Sequence, residues 1–377
     1  MSRNRVIYQS ESLFVSQDAT STASGEHHEL IRVQSANYGF TINRQDVNQY
    51  GNLARIDSLV LEPPTVNFDF SYYLTDGLNE KALGFDISET AQFASGFLES
   101  SSGRNFYIVT SDEGQDATTF AENDPYSLIG IGNAFLSDYS IDLSVGALPT
   151  ANVSFEASNI NSQGGTIQTN GTFSSLHMTG DSVAIDAEVG QPIGSTIEIL
   201  RPKNTGQDGV SALRPGDISI EFPGFDNGAA ESGTMTKISG AGRFHVQSAN
   251  LSLPLSRTAI ERVGSKFPFA RVVDFPVNAT LTVNAVLNDM EAGNLAAAVS
   301  GCSNSEGEIS ITMNSCEGPP AIKWTLKGAT LDSESYSSSV GSNKTVDLTF
   351  GVQLGGIDDI ENGIICSGSG VNRPVFF

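Results

Sequence analysis

Val33-Gln34-Ser35-Ala36-Asn37 returns unchanged as Val246-Gln247-Ser248-Ala249-Asn250, 213 positions later. Arg44 and Gly51 recur at the same offset as Arg257 and Gly264, so seven of the nineteen residues in 33–51 are repeated in 246–264. Roughly one identity is the chance level at ordinary residue frequencies. A second echo runs at an offset of 195. Leu136, Ser140, Ser144, Val145, Gly146, Thr150 and Phe155 match Leu331, Ser335, Ser339, Val340, Gly341, Thr345 and Phe350. Two windows in the same order indicate a tandem duplication, with eighteen more residues between the windows in copy one. Repeated self-contacts of such a module build rings or filaments.

The repeated segments read as strands. Val66, Phe68, Phe70, Tyr72 and Leu74 alternate strictly, and Ala279, Leu281, Val283, Ala285 and Leu287 keep the same parity at the 213 offset. Such alternation marks a strand with one buried face. Val33 to Ile42 alternates too, with Tyr38, Phe40 and Ile42 on one face. Phe106 to Val109 reads as a short apolar strand. Residues 134–145 and 151–157 read as two strands joined by a turn, repeated at 330–340 and 345–352. Leu78 to Phe85 reads as a short helix or turn, with Met290 to Val299 as its counterpart. Ser88 to Leu98 is predicted helical, with Ser88 as N-cap and Phe93 and Phe97 at helical spacing. Much of the copy-one excess is placed between Ser88 and Asp124. The stretch 159–240 has no partner in copy two, and Val183 to Val189, Ile197 to Leu200 and Ile218 to Phe222 read as short strands within it. The division is therefore 1–232, with an N-terminal arm around Val6, Tyr8, Leu13, Phe14 and Val15, and 233–377.

The 377 residues suffice for two domains. Apolar residues are 39% and charged residues 17%, with 38 Gly, a composition of strands and turns. Net charge is −23, of which 1–232 carries −20 (10 Lys+Arg, 30 Asp+Glu). So acidic a surface repels nucleic acid rather than gripping phosphates. Cys302, Cys316 and Cys366 form no disulfide framework, although Cys302 and Cys316 flank a segment that places them across a hairpin. The N-terminus lacks the apolar run of a signal peptide, and no stretch approaches the ~18 apolar residues of a membrane span. Synthesis in a cytoplasm is the expectation.

Catalytic and metal motifs are lacking. His27, His28, His177 and His245 have no HExxH or HxH setting, and His27-His28 beside Glu26 and Glu29 reads as a solvated loop. The carboxylates at Asp112, Glu113, Asp116, Glu122 and Asp124, and at Asp358, Asp359 and Glu361, do not follow EF-hand spacing. Cys366 has no histidine partner in sequence and reads as buried and inert. There is no nucleophile elbow, P-loop or dinucleotide fingerprint. The expectation is a chain with no catalytic, cofactor-binding or metal site, and not an enzyme.

Several phrases resemble the phage tail tube (major tail) proteins. They are Val33–Phe40 (VQSANYGF), Asn43–Gly51 (NRQDVNQYG), Leu53–Ile56 (LARI), Phe68–Asp76 (FDFSYYLTD), Gly132–Leu136 (GNAFL) and the run from Val145 to Phe155. The resemblance spans roughly residues 30–160 and recurs, weakened, at 240–350. It implies a mainly β chain of two tandem tail-tube-type sandwich or barrel domains. Each has a short flanking helix, and long hairpins join an intersubunit β-barrel. It also implies rings of six domains, here three chains per ring, stacked into a conduit with an acidic lumen. The implied partners are the chain itself, the baseplate or tail tip, the terminator, a tape measure inside the tube, and double-stranded DNA passing without specific binding. The implied location is the virion tail, assembled in the host bacterial cytoplasm, with no membrane. Two other readings stand beside it: a duplicated β-sandwich adhesin or tail-tip module binding host glycans, for which Trp324 is the aromatic to examine, and a glycan-cleaving depolymerase with facing carboxylates.

Overall fold

Strict apolar–polar alternation becomes pleated strands, each burying one face. The computed structural model describes residues 11–16, 27–99, 103–111, 117, 125–166, 168–170, 173–178, 181–186, 191–194, 197–201, 213–222, 245–265, 267–287, 307–315 and 320–372. The first half holds β1 (Glu11–Ser16), β2 (His27–Glu29), β3 (Val33–Thr41), β4 (Arg44–Val47), β5 (Asp57–Val60), β6 (Thr65–Tyr73), helix α1 (Leu78–Leu83), β7 (Arg104–Thr110), β8 (Pro125–Ser144), β9 (Thr150–Ala157) and β10 (Asn159–Thr166). Short strands follow: β11 (Gln168–Asn170), β12 (Phe173–Met178), β13 (Asp181–Asp186), β14 (Gln191–Gly194), β15 (Ile197–Arg201) and β16 (Ile218–Glu221). The second half holds β17 (His245–Pro254), β18 (Arg257–Ile260), β19 (Ala270–Val273), β20 (Asn278–Val286), β21 (Gly307–Asn314), β22 (Pro320–Ser337), β23 (Thr345–Gln353) and β24 (Gly363–Gly368). The protein is mainly β, and every ladder between these strands is antiparallel.

The same ladder is built twice. Val33 pairs with Tyr72 and Ser35 with Ser71, a bulge absorbing Gln34. Val246 pairs with Ala285 and Ser248 with Asn284, the bulge now at Gln247. Every one of these residues is displaced by 213. The β4–β5 hairpin pairs Arg44 with Val60, and β18–β19 pairs Arg257 with Val273. Phe68 faces Phe155 and Leu281 faces Phe350. A register slip of one residue would turn a strand's apolar set to water, so inherited parity fixes inherited pairing.

β8 and β22 each serve two sheets. The first half of β8 pairs β7 and β10, and its second half pairs β9 and β17. β22 likewise pairs β21 and β24, then β23. The change of sheet falls at a left-handed residue in both, Asn133 (φ 51°) and Gly328 (φ 70°), 195 positions apart. Asn tolerates that conformation and Gly is unstrained in it. Each half is thereby a two-layered sandwich. Phe106 of β7 touches Phe68, Phe70 and Phe155 of the opposite layer, at ring-centroid distances of 4.9, 5.7 and 4.7 Å. In the second half the equivalent positions are the smaller Ile309, Leu281, Val283 and the unchanged Phe350, all buried.

Three expectations change. Ser88–Leu98 is not a helix; it contains one 3₁₀ turn at Ser95–Phe97, and Ser88 bridges Ser367. Long-range bonds prevail here: the Glu89 and Phe93 N–H groups donate to Cys366 and Ile364 carbonyls at 3.1 and 2.8 Å, across the two halves. The stretch from residue 159 is not wholly without counterparts. β10 pairs β8 as β24 pairs β22, and β16 pairs β21 as β1 pairs β7, so β16 is bonded into the second half. The N-terminal arm, where described, is sheet: Leu13, Phe14 and Val15 are buried in β1. The register also locates the copy-one excess. The β7–β21 offset is 203, which puts ten extra residues before β7 and eight between β7 and β8. Cys302, Cys316, the Met290–Val299 segment, and the carboxylates at Asp112, Glu113, Asp116, Glu122 and Asp124 lie outside the described residues.

Gly96 provides a test of the copy-one strap over α1. A Cβ there would collide with the Gly84 carbonyl oxygen, whereas a Cβ at Gly39 of β3 would meet nothing within 4 Å. Gly96→Ala is expected to lose about 2–3 kcal/mol in denaturant unfolding. Gly39→Ala should stay within about 0.5 kcal/mol of the parent.

Candidate assembly site: two unlike sheet edges and a polar face

One sheet runs continuously through both halves in the order β3-β6-β9-β8-β17-β20-β23-β22. Its central joint is β8 against β17, from Ser144↔Ser248 through Ile141↔Leu251 to Asp138↔Pro254. The Val145 and Leu255 N–H groups extend it, donating to Gln247 and Ser137 carbonyls at 2.9 and 2.8 Å. Ala249, Leu251, Leu253 and Leu255 are all buried at this joint. Asp142 is clasped across it by Asn152 and Asn250, at 2.7 and 2.6 Å.

Arginines of the β18–β19 hairpin clamp the same joint. The Arg257 guanidinium donates to the carbonyls of Leu136, Glu99, Arg271 and Phe97 and lies 5.2 Å from the Phe135 ring centroid. Burial, with the neighbouring Arg271 charge, pulls its pKa down to about 10. Arg271 pairs with Glu156 at 2.9 Å. A planar five-donor group suits this convergence of carbonyls.

The ends of the sheet are different. Among the described residues β3 pairs only β6, and the second half of β22 pairs only β23. β3 is the counterpart of β17, and the second half of β22 is the counterpart of the β8 segment that β17 pairs. Tyr38, Phe40 and Ile42 occupy the positions of Leu251, Leu253 and Leu255 but are exposed, Phe40 at 61% against 1% for Leu253. Arg44, the counterpart of Arg257, is exposed. Beyond it the β4–β5 hairpin carries Tyr50, Leu53, Ile56 and Leu59 to solvent. A long open edge with exposed apolar side chains is a pairing template.

The face of this sheet turned away from the core is small and polar. β3 contributes Ser35, Asn37 and Thr41; β6, Asn67, Asp69 and Ser71; β9, Asn152, Ser154 and Glu156; β8, Asp138, Ser140, Asp142 and Ser144. In the second half the pattern continues with Ser248, Asn250 and Ser252, then Thr280, Thr282 and Asn284, then Asp347 and Thr349. None of these positions is Lys, Arg or His, and five are carboxylates. Half-burial pushes the Asp138 carboxyl above its ordinary pKa. Phosphate-binding chemistry needs cations or converging N–H groups, and this face offers no cationic strand residue.

The other residues singled out by sequence do not gather into a site. Among the described residues no group of three His, Cys, Asp or Glu stands at metal-binding spacing, and no helix is long and apolar enough to cross a membrane. Asp359 is a turn residue, its carboxylate accepting from the Glu361 and Asn362 N–H groups. His28 is buried in β2 and His245 is exposed. Cys366 is buried, which pushes its thiol pKa up. Trp324 is fully buried and offers no exposed platform for a glycan. Sequence reasoning missed the two unlike edges. The signal was present in the repeat, because an exposed Tyr38/Phe40/Ile42 face aligns with a leucine face. No protein-family model matches this chain, and no curated protein matches it.

Arg257→Ala is expected to destabilise the folded chain by about 2–4 kcal/mol in thermal or urea unfolding, since it strips buried carbonyls of a charged donor. Arg44→Ala should leave an isolated chain within about 0.5 kcal/mol of the parent.

Proposed function

We propose that this chain is a tail tube protein of a tailed phage, a structural virion component that polymerises into a conduit for the genome rather than an enzyme. One observation carries the reading. The two open ends of the eight-stranded sheet are the counterparts of the two strands that already pair at its centre.

Repeating the β8–β17 joint between chains sets β22 of one copy against β3 of the next. The register follows from the offsets: Ser339 opposite Ser35, Ser337 opposite Asn37, Tyr336 opposite Tyr38, and Ser333 opposite Thr41. Arg44 would reach the carbonyl of Leu331 as Arg257 reaches that of Leu136. Such head-to-tail contacts use two different patches, so they close into a ring when the rotation permits. The resemblance to tail tube proteins gives the ring size, six sandwiches from three chains. Closure removes both exposed edges and covers Tyr38, Phe40 and Ile42.

The lumen would then be the face whose strand positions carry no cation. Ser, Thr and Asn hydrate the wall, and Asp69, Asp138, Asp142 and Asp347 repel phosphates, so DNA slides without being held. The partners would be other copies, the tail tip or baseplate, the terminator and a tape measure within the bore.

A Ser35→Cys/Ser339→Cys double variant tests the register. After oxidation, non-reducing gels are expected to show covalent oligomers ending at a closed trimer, with either single variant showing none beyond the parent chain's background. Negative-stain images should show rings with threefold symmetry and six similar lobes, alone or stacked as tubes. Arg44→Ala should weaken that assembly about tenfold or more in concentration-dependent light scattering. Chains that stay monomeric at high concentration, with no double-variant crosslinks, would overturn the proposal.

A further inference from the structure

Glu80 lies on α1 and is completely buried. Its Oε1 accepts from the Tyr72 hydroxyl at 2.8 Å and the Tyr139 hydroxyl at 3.1 Å. Its Oε2 is buried and has no hydrogen-bond partner among the described residues. No function described above uses this group.

Among the described residues, the titratable groups that act on it are acids. Tyr72 comes from β6, Tyr139 from β8 and Cys366 from β24, while Asp76 stands one turn away on its own segment. Asp86 and Glu89 are further acids acting on Cys366. The basic residues Lys81 and Arg104 are engaged with carbonyls: Lys81 donates to that of Val371 at 2.8 Å, and Arg104 donates to those of Leu83, Gly96 and Gly103. The remaining wall is aromatic, Phe85 and Phe93 lying 4.7 and 5.3 Å from the Tyr139 ring. An ionised carboxylate in this pocket would be a buried charge without a counter-charge.

The pocket lies between the two halves of the chain. The Gly370 N–H donates to the Asp76 carbonyl at 2.9 Å, and the Gly368 N–H to the Ile87 carbonyl at 3.1 Å. A Cβ on Gly77 would stand 3.4 Å from Ile322, and one on Gly370 would stand 2.9 Å from the Asp76 carbonyl oxygen. Helix α1 is thus a wedge with Glu80 against the first-half sheet and Asp76 and Lys81 against the C-terminal turn (Ser369–Asn372) of the second half.

We infer that α1 is a pH-operated latch. With Glu80 neutral, α1 holds the second half's C-terminal strand and turn against the first half. Loss of the Glu80 proton to solvent base on alkalinisation expels the carboxylate from its pocket, and α1 and the turn release together. The inference does not depend on the tail-tube reading.

The direction follows from linkage. Burial raises the Glu80 pKa above the 4.5 of an accessible glutamate, its own backbone N–H and then the two phenols oppose the shift, and Asp76 adds to it. Stability from the neutral form is therefore complete below the ordinary carboxylate range. It is lost as pH rises through the elevated value.

Hydrogen exchange between about pH 5 and pH 10, corrected for intrinsic rates, tests this on the full chain. The amides of Leu78–Leu83 and Ser369–Asn372 are expected to lose about tenfold or more of their protection as pH rises, while β6 and β9 keep theirs. Glu80→Gln preserves the acceptor at Oε1 and cannot ionise, so its protection should be flat across the range. A Glu80→Gln profile that follows the parent, or a parent profile without the local loss, would overturn the inference. If Glu80→Gln does not fold, Tyr72→Phe provides the second arm. It removes a donor to the carboxylate, so the loss should move to higher pH, and an unmoved loss would overturn the inference equally.

Discussion

The structure depends on one twenty-residue strand that belongs to two sheets. β8 pairs with β7 and β10 in one layer, turns at Asn133, and pairs with β9 and β17 in the other. Its first half closes the sandwich over Phe106, and its second half carries the sheet out of that sandwich into the next. Antiparallel ladders consume two edges per strand, so a strand that has left its own layer has an edge to give. β17 takes that edge from β8. The described chain has no strand to do the same for β22, whose second half keeps its outer edge open.

That geometry makes the two faces of the shared sheet chemically unlike. The inner face receives Phe68, Phe70, Tyr72, Phe155, Leu281 and Phe350, because both sandwiches bury it. The outer face receives mostly Ser, Thr, Asn and Asp at alternate positions across its strands. Charge sorts accordingly. The β18–β19 arginines turn to the joint, where carbonyls and the outer-face Glu156 meet them, and the other four outer-face carboxylates stand on strands without basic residues at these positions. A uniformly hydrated, weakly acidic surface of this breadth is unusual for a binding site, which concentrates a few converging polar groups in an apolar concavity.

How much of this was legible in sequence varied with the physical origin of each feature. β6, β20, β9 and β23 could be read outright, because alternation forces their parity and both copies agree. Leu78–Phe85 could be read as a short helix or turn, and helix α1 forms within it. β16 could be read as a strand at Ile218–Phe222, but not its place, nor that of β10, since both positions are set by which edges of β8 and β21 remain free. Ser88–Leu98 misled because Phe93 and Phe97 have helical spacing for another reason: both enter the aromatic cluster with Phe85 and Tyr139 from a strap of bends and one 3₁₀ turn. The carboxyl of Glu80 was invisible too, as only the fold brings Tyr72 and Tyr139 to it.

The divergence of the copies has a physical logic. The β8–β17 joint forms within one chain, so it is permanent, and its residues can be those of a core: Leu251, Leu253, Leu255 and a half-buried Arg257. The two outer edges face solvent instead. There the leucines are replaced by Tyr38, Phe40 and Ile42, and the facing strand carries Ser333, Glu334, Ser335 and Ser337 in place of Asp138, Tyr139, Ser140 and Asp142. Tyr336 stands where the joint has Ile141, and its hydroxyl donates to Glu334 at 2.6 Å. A polar edge or an aromatic one aggregates less with its own kind than a leucine edge would. The pairing geometry of the joint recurs at the 213 and 195 offsets, and the substitutions at its outer counterparts leave exposed what the joint buries.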